Sequence, residues 1–244
     1  MQCVLSLAIR TWIFALGFAG CFHQEEPMHT VRYRYQFPAT LMQHENTPEV
    51  HVVEDTIFIS YWKDFVLYRL PATTDFVTGK QIAGTYEYFL LRKDKSHGYL
   101  FRGLDSSRLP EKWPVDSFLT QKAAQGKPFE RPSDSIWKLV DSTVNKDEII
   151  ERYALLEPSK ALFDSIYYSY RKGFQFEHSF SRQLDEEHGM KLFRIQMIQN
   201  AEYSDNAQLK LPRREFLFEL MPADLPETTP SLIDFIRKHE KLFQ

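Results

Sequence analysis

Serine and lysine side chains stand at a spacing that could support nucleophilic chemistry. A serine precedes a lysine by three residues at three places: Ser60 and Lys63, Ser135 and Lys138, and Ser169 and Lys172. Such a pair works when the serine begins a helix, because the lysine then lies one turn on and can take the serine proton. All three pairs fall in predicted strands, where residues three apart face opposite sides. We therefore predict no serine nucleophile here.

Histidine and carboxylate clusters raise the question of a metal site. His44, Glu45 and His51 share one polar loop, and 185–188 form a predicted turn that reads Asp-Glu-Glu-His. A zinc site needs three or four ligands that converge in space, which closeness in a loop does not ensure. We expect both groups to be solvated and predict neither a metal nor a cofactor. His178 lies on the apolar face of a predicted strand, where we expect a hydrogen-bonded core histidine rather than a catalytic base.

Paired carboxylates could support glycoside hydrolysis if their strands were neighbours. Glu177, Glu215 and Glu219 are the candidates, but each lies on the polar face of an alternating pattern, where charged residues belong in any case. The sequence lacks the glycine-rich nucleotide loops, the G-x-S-x-G nucleophile motif, H-E-x-x-H and C-x-x-C. It therefore predicts no catalytic residue.

Tyrosines recur in pairs on alternating positions: Tyr33 and Tyr35, Tyr86 and Tyr88, and Tyr168 and Tyr170. Aromatic rows on a sheet can bind lipids or sugars, although they also form ordinary core. The candidate ligand-binding residues are Tyr86, Tyr88, Tyr168 and Tyr170.

Composition limits the class of protein. The net charge of −3 and the pI near 6.3 provide no basic field, which argues against nucleic acid as a partner. The 244 residues are 43% hydrophobic, enough for a real core. The chain contains 20 Phe and 12 Tyr but only 9 Gly. Aromatic residues favour half-buried pleated surfaces. The composition therefore favours a β-sheet.

The chain shows the two-residue period of strands with one polar face at several places. The clearest runs are 31–37, ending at Pro38, then 86–91 with 99–102 as a hairpin whose loop contains Gly98, then 174–180, 193–197 and 215–220. Segments 57–61, 65–70, 136–140 and 164–170 also favour strands. We expect about eight to ten antiparallel strands in a curved sheet with one covered and one wet face.

Three segments favour helices. Pro114 suits the first turn of a short helix that reaches about Ala124. Asn145 and Glu148 match a capping box, which predicts a helix from 149 to 154, although this run also alternates as a strand. Thr229 and Pro230 can begin a last helix, whose apolar stripe would cover the sheet. The fold class predicted is α+β, with two or three helices and the C-terminal helix packed on the sheet.

The segment from Thr11 to Cys21 is apolar, follows Arg10, and ends in Ala19-Gly20-Cys21. A positive residue, an apolar run and small residues before a cleavage site are the parts of an export signal. Phe18-Ala19-Gly20-Cys21 resembles the lipobox of bacterial lipoproteins, with Phe18 where Leu or Val is usual. The resemblance implies that Cys21 is acylated and becomes the N-terminus of a membrane-anchored protein.

Other readings of this segment stay open: ordinary cleavage after Ala19, an uncleaved anchor, or a buried helix. Under the lipoprotein interpretation, Cys21 is the one cysteine of the mature chain, and its acylation avoids a free thiol in an oxidising compartment. The expected organisation is a signal peptide over 1–20, a lipidated tether over 21–28 and a single β-rich domain over 29–244.

These observations lead to three hypotheses. The first is a non-enzymatic protein of the cell envelope, held at the membrane by a lipid, which binds an apolar ligand or an envelope partner. Its expected place is the outer membrane, on the periplasmic or the surface face. The second is an accessory subunit of an outer-membrane or glycan-binding complex, and the third is an envelope hydrolase. A large apolar cavity would favour the ligand-binding version of the first hypothesis.

Overall fold

Strands with one apolar and one polar face dominate the chain, and they assemble into one large sheet. The structure, a computed structural model, describes residues 26–42, 48–72, 74–75, 80–81, 86–105, 107–123, 129–157, 163–204, 209–223 and 229–244. The predicted signal segment, including Cys21, lies outside these residues. No helix in the described part of the chain has the length and apolar character needed to span a membrane.

The sheet is antiparallel, open and curved, and in the described residues it contains eleven strands in the order β8-β7-β6-β3-β2-β1-β15-β12-β11-β10-β9. Two further pairs, β4 with β5 and β13 with β14, form separate small hairpins. The strands are β1 (His29–Met42), β2 (Pro48–Trp62), β3 (Phe65–Pro71), β4 (Thr74–Asp75), β5 (Lys80–Gln81), β6 (Tyr86–Arg92), β7 (His97–Phe101), β8 (Glu111–Pro114), β9 (Trp137–Val144), β10 (Glu148–Leu155), β11 (Ser165–Arg171), β12 (Lys191–Gln199), β13 (Glu202–Ser204), β14 (Leu209–Leu211) and β15 (Arg214–Pro222).

Three helices and one short 3₁₀ turn accompany the sheet in the described residues. They are α1 (Val115–Gln121), α2 (Arg182–His188), α3 (Thr229–His239) and the turn Glu240–Phe243. The predicted helix after Pro114 is confirmed as α1, and the C-terminal helix is confirmed as α3. The sheet outweighs the helices, so the fold is mainly antiparallel β, and α+β describes it only loosely.

The two faces of the sheet bury different clusters. On one face, which we call the cavity face, aromatic and aliphatic residues from β1 to β3, β6 to β12 and β15 join α1 and α2 in one large cluster. On the opposite face, which we call the packed face, α3 covers β3, β6 and β7. Leu232, Phe235 and Ile236 on α3 are almost fully buried there. The apolar stripe of α3 therefore covers the sheet as its sequence predicts.

Strand β1 continues past the proline at which we expected it to end. Pro38 pairs with Val52 of β2, and β1 runs on to Met42. The pairing of β1 with β15 ends at Gln36. At Pro38, β1 therefore pairs with β2 on one side and has no β15 residue opposite it on the other. A proline is tolerated at such an edge because no partner needs its missing N–H.

Gly98 lies inside β7 rather than in the hairpin loop. A Cβ atom at this position would lie 2.4 Å from the Phe89 ring and 2.7 Å from the backbone oxygen of Leu90. The Phe89 ring in turn stacks on Phe118 of α1, with centroids 3.6 Å apart. The glycine is therefore required by close packing of the ring and not by the turn.

Three local predictions were wrong. Asn145 begins a hairpin turn, with its N–H bonded to the Glu148 carbonyl at 2.8 Å, and 148–155 is the strand β10. The run 174–180 alternates but belongs to no strand, because it packs its rings inward without a neighbouring ladder. The predicted turn at 185–188 is instead the end of α2, and Gly189 follows it as a cap in a left-handed conformation.

Candidate functional site

A cavity of about 780 Å³ lies between the cavity face of the sheet and the segments that cover it. This volume falls within the range of about 300–1,000 Å³ that is typical of small-molecule sites. The sheet contributes Tyr33, Phe37, Tyr61, Val66, Tyr68, Leu91 and Phe218, and the turn after β6 contributes Lys93. The covering segments contribute Val115, Leu119, Thr120, Phe129, Glu177, His178, Ser179, Phe180 and Arg182.

The floor of the cavity is aromatic because neighbouring strands present the same face there. Tyr33 of β1 pairs with Ile57 of β2, and Tyr61 follows Ile57 by four residues, so both tyrosines face the cavity. Tyr68 of β3 pairs with Ile59 and shares this face. All three tyrosines are at least nine-tenths buried. Burial raises the pKa of each phenol, so each stays a neutral hydroxyl at physiological pH.

Helix α1 forms one wall and is anchored by a single buried residue. Phe118 is fully buried, stacks on Phe89 and meets Tyr68 edge-to-face at 5.5 Å. Val115 lies three residues before Phe118, and Leu119 directly follows it. Both side chains face the cavity and are partly exposed. The wall is therefore fixed at one point, while its other apolar side chains face open space.

A second wall is the irregular segment that enters α2. Phe180 accepts a backbone hydrogen bond from Phe129 N–H at 2.9 Å, which links the two covering segments. Ser181 caps α2 by accepting from Leu184 N–H at 3.4 Å. Asp185 accepts from Ser179 Oγ at 2.7 Å, so α2 and the segment before it are tied together.

His178 lies in this wall with its ring packed among protein atoms and one edge open to the cavity. Its Nδ1 is 3.1 Å from Tyr61 Oη, and its ring lies 6.3 Å from that of Tyr33. Burial, with a contribution from the positive Lys191, lowers its pKa to about 4. His178 is therefore neutral at physiological pH and adds no charge to the cavity.

The mouth of the cavity carries the charged side chains. Lys93 Nζ lies 2.8 Å from a carboxylate oxygen of Glu177, and both side chains are substantially exposed. Arg182 at the start of α2 is exposed as well. Among the described residues, no carboxylate lies within ion-pair distance of Arg182. At neutral pH, the mouth therefore has one cation more than it has anions.

A second polar cluster, which sequence reasoning missed, lies beside the cavity between α2 and the sheet. His188 Nε2 is 3.1 Å from Glu151 Oε1, and its ring stacks on Tyr170 at 3.8 Å. The other carboxylate oxygen accepts from Tyr153 Oη at 2.9 Å and from Tyr170 Oη at 3.4 Å. The sequence predicts a solvated turn at His188, but its side chain instead links α2 to β10 and β11.

The four tyrosines singled out from the sequence do not line this cavity. Tyr88 lies on the packed face, with its ring 6.0 Å from that of Phe235. The Arg69 guanidinium lies over the ring of Tyr86, 3.8 Å from its centroid. Tyr168 is on the cavity face but is buried, and its hydroxyl donates to the Glu130 carbonyl at 2.8 Å. Tyr170 belongs to the cluster around Glu151. Parity along a strand identifies a shared face but not where a covering element leaves space.

The other chemical candidates are dispersed. Glu215 bonds Gln196 on the polar side of the sheet, and Glu219 pairs there with Arg194 and Arg34. Glu177 is at the cavity mouth, on the other side.

Ser60 is buried against Thr30, and no group of three potential metal ligands occurs in the described residues. Of the predicted metal-loop residues, His44 and Glu45 lie outside the described part of the chain.

The fold and the site define an open, curved antiparallel sheet that holds an aromatic cavity under two short helices. No protein-family model and no curated protein matches the chain. Among solved structures, the chain is similar to the crystal structure of a LolA superfamily protein from Nitrosomonas europaea, with 10% identity and a TM-score of 0.24 over 85% of this chain and 90% of that one. At this TM-score, the match assigns neither a family nor a function.

Proposed function

We propose that the protein is a non-enzymatic binder of an apolar ligand, held in the cavity above Tyr33, Tyr61 and Tyr68. The observation that carries this proposal is the cavity of about 780 Å³ with an aromatic floor, walls of aliphatic and aromatic side chains, and charged groups at its mouth. Apolar pockets with a few placed polar groups are the common form of small-molecule sites. Ligand binding would bury the exposed parts of Val115 and Leu119.

The same geometry disfavours the hydrolase hypothesis. A hydrolytic site needs a nucleophile or activated water, a base and a charge-stabilising group around one reacting atom. His178 bonds a tyrosine hydroxyl, and Glu177 is occupied by Lys93. Glu215 and Glu219 lie on the other side of the sheet from both, so Glu177 cannot pair with either of them. Glu215 and Glu219 share a face, but Glu215 accepts from Gln196 and Glu219 pairs with Arg194 and Arg34.

Displacement of a fluorescent fatty acid tests the proposal. The purified protein is titrated with 11-(dansylamino)undecanoate, and myristate is used as the competitor. In Leu119→Glu, a carboxylate replaces an apolar wall residue, and we expect about tenfold weaker probe binding because the charge must be desolvated. Leu109→Glu is the matched control, since Leu109 is 93% exposed and does not line the cavity.

Native mass spectrometry of the protein from its own host supplies an independent measurement. A reproducible extra mass that Leu119→Glu loses would identify the ligand and support the proposal. Equal probe binding by the wild type and Leu119→Glu would contradict the cavity as the binding site.

We further propose that Cys21 carries a lipid that anchors the protein in the cell envelope, at the outer membrane. The Ala19-Gly20-Cys21 segment supports this proposal, and two or three acyl chains give stable attachment where one is marginal. Cells fed labelled palmitate should label the wild type and not Cys21→Ala. Equal labelling of both would contradict acylation at Cys21.

The second candidate, an accessory subunit that docks on an envelope partner, has one observation in its favour. Strand β9 ends the sheet order, and its Leu139, Val140 and Val144 are exposed. An exposed apolar edge can accept an extended segment of another protein as a further strand. Val140→Lys should then abolish cross-linking to that partner in the intact envelope while leaving cavity binding unchanged.

A further inference from the structure

The charge balance at the cavity mouth indicates which kind of apolar ligand fits. Lys93 is neutralised by Glu177 at 2.8 Å, and Lys191 by Asp185 at 2.8 Å. His178 is neutral at physiological pH. Arg182 remains as a cation at the mouth. Glu186, one helical turn further on, is exposed and is not within ion-pair distance of it.

We propose that the ligand is an anionic amphiphile whose chain fills the cavity and whose head group lies against Arg182. This inference rests on the proposed function and adds the ligand class. An apolar chain suits Val66, Leu91 and Phe218 in the interior, while an arginine suits a carboxylate or a phosphate, since its planar donors match either oxygen pair. A cationic head group would meet like charge at the mouth, and a neutral one would leave Arg182 without a partner.

The Lys93–Glu177 pair makes the proposal testable in both directions. Arg182→Gln removes the excess cation, whereas Glu177→Gln leaves Lys93 unneutralised and adds one. A purely structural effect of either substitution would not depend on the charge of the head group. Competition by two probes with the same chain, myristate and methyl myristate, separates the charge effect from chain binding.

We expect wild-type protein to bind myristate about threefold to fivefold more tightly than methyl myristate, as for an ion pair at a partly exposed site. Arg182→Gln should abolish this preference, and Glu177→Gln should increase it by a similar factor. Binding of methyl myristate should change much less than that of myristate in both variants. Raised salt should shrink the preference, because exposed charges are screened.

Arg237→Gln is the matched control, because Arg237 is on α3 at the packed face, with its side chain 44% exposed. The preference of this variant for myristate over methyl myristate should equal that of the wild type. Equal binding of the acid and the ester by the wild type, or a preference that survives Arg182→Gln, would overturn the head-group inference and leave the cavity intact. Failure of both probes to bind the wild type would overturn the proposed function along with it.

Discussion

Strands β3 and β6 are covered on both sides, and their two covers differ in kind. On the packed face, α3 contributes a continuous apolar stripe, with Phe235 meeting the Phe101 ring at 4.8 Å. On the cavity face, α1 is anchored by Phe118, and a space of about 780 Å³ remains beside it. The same strands therefore support a filled interface on one side and an open cavity on the other.

The difference follows from what holds each cover in place. An amphipathic helix of 11 residues buries its stripe along its whole length. Helices α1 and α2 have 7 residues each and are held by a few specific contacts, such as the Ser181 cap and the Glu151–His188 bond. A cover that is fastened by separate polar contacts need not fill the space beneath it. Such a cover is suited to binding.

The largest expected effect comes from breaking the packed face. Phe235→Ala should lower the free energy of unfolding by about 3–5 kcal/mol, because it leaves a void among tightly packed rings. Phe129→Ala on the cavity face should cost at least about 1 kcal/mol less, since Phe129 already borders open space. Urea denaturation of both variants measures the difference. Equal losses would show that the two faces are packed alike.

Acid should weaken the cavity face through His178. The pKa of His178 is about 4 in the folded protein and 6.5 when unperturbed, so between these values a proton binds chiefly to the unfolded chain. The free energy of unfolding should therefore fall as the pH drops from about 6.5 to 4, by up to about 3 kcal/mol from this group, and level off below.

Denaturation of the wild type and His178→Gln across this pH range isolates the contribution, since all other groups titrate in both. The curves should converge towards pH 4, because the wild type loses stability that the variant does not lose. Parallel curves would show that the histidine is not held neutral by the fold.

The polar fastening of α2 can be weakened without removing atoms. In Glu151→Gln, the amide oxygen can still accept from Tyr153, but the charge that faces His188 is lost, and we expect a loss of about 1–3 kcal/mol. Glu148→Gln on the same strand is the control; its partner Arg171 is at 3.3 Å in a more exposed pair, worth at most about 1 kcal/mol.

Hydrogen exchange should place the Glu151→Gln effect in α2. Protection of the α2 amides should fall while that of α3 is kept. A uniform loss of protection would argue that the cluster stabilises the sheet rather than the cover.

The two-residue period predicted β1, β12 and β15, because each has one apolar and one polar face and tertiary packing agrees with that pattern. The same two-residue period at 174–180 led to a wrong strand prediction, because an irregular segment that lies on a sheet also buries every second side chain. The capping-box pattern at Asn145 does not begin a helix, because β10 forms backbone hydrogen bonds with a neighbouring strand on each side, β11 and β9. Local preference decides an element only where no such partner competes.

The candidate site was less accessible to prediction than the sheet. Tyr33 and Tyr88 both stand in alternating rows, yet Tyr33 borders the cavity and Tyr88 packs under α3. Which row meets open space depends on the length and anchoring of the covering helices, and these arise from contacts distant in sequence. The bond between Glu151 and His188 spans 37 residues and has no local signal.

The smallest expected effect comes from making the cavity face resemble the packed face. Val115→Phe places a ring in the open space beside α1 and should raise the free energy of unfolding by up to about 1 kcal/mol, as cavity-filling substitutions do. Val144→Phe, at an exposed edge position, should change it by less than about 0.5 kcal/mol. Because the added ring occupies volume that the ligand needs, Val115→Phe should also weaken binding of the dansyl probe. A gain in stability with unchanged probe binding would mean that ligand and ring occupy different parts of the cavity.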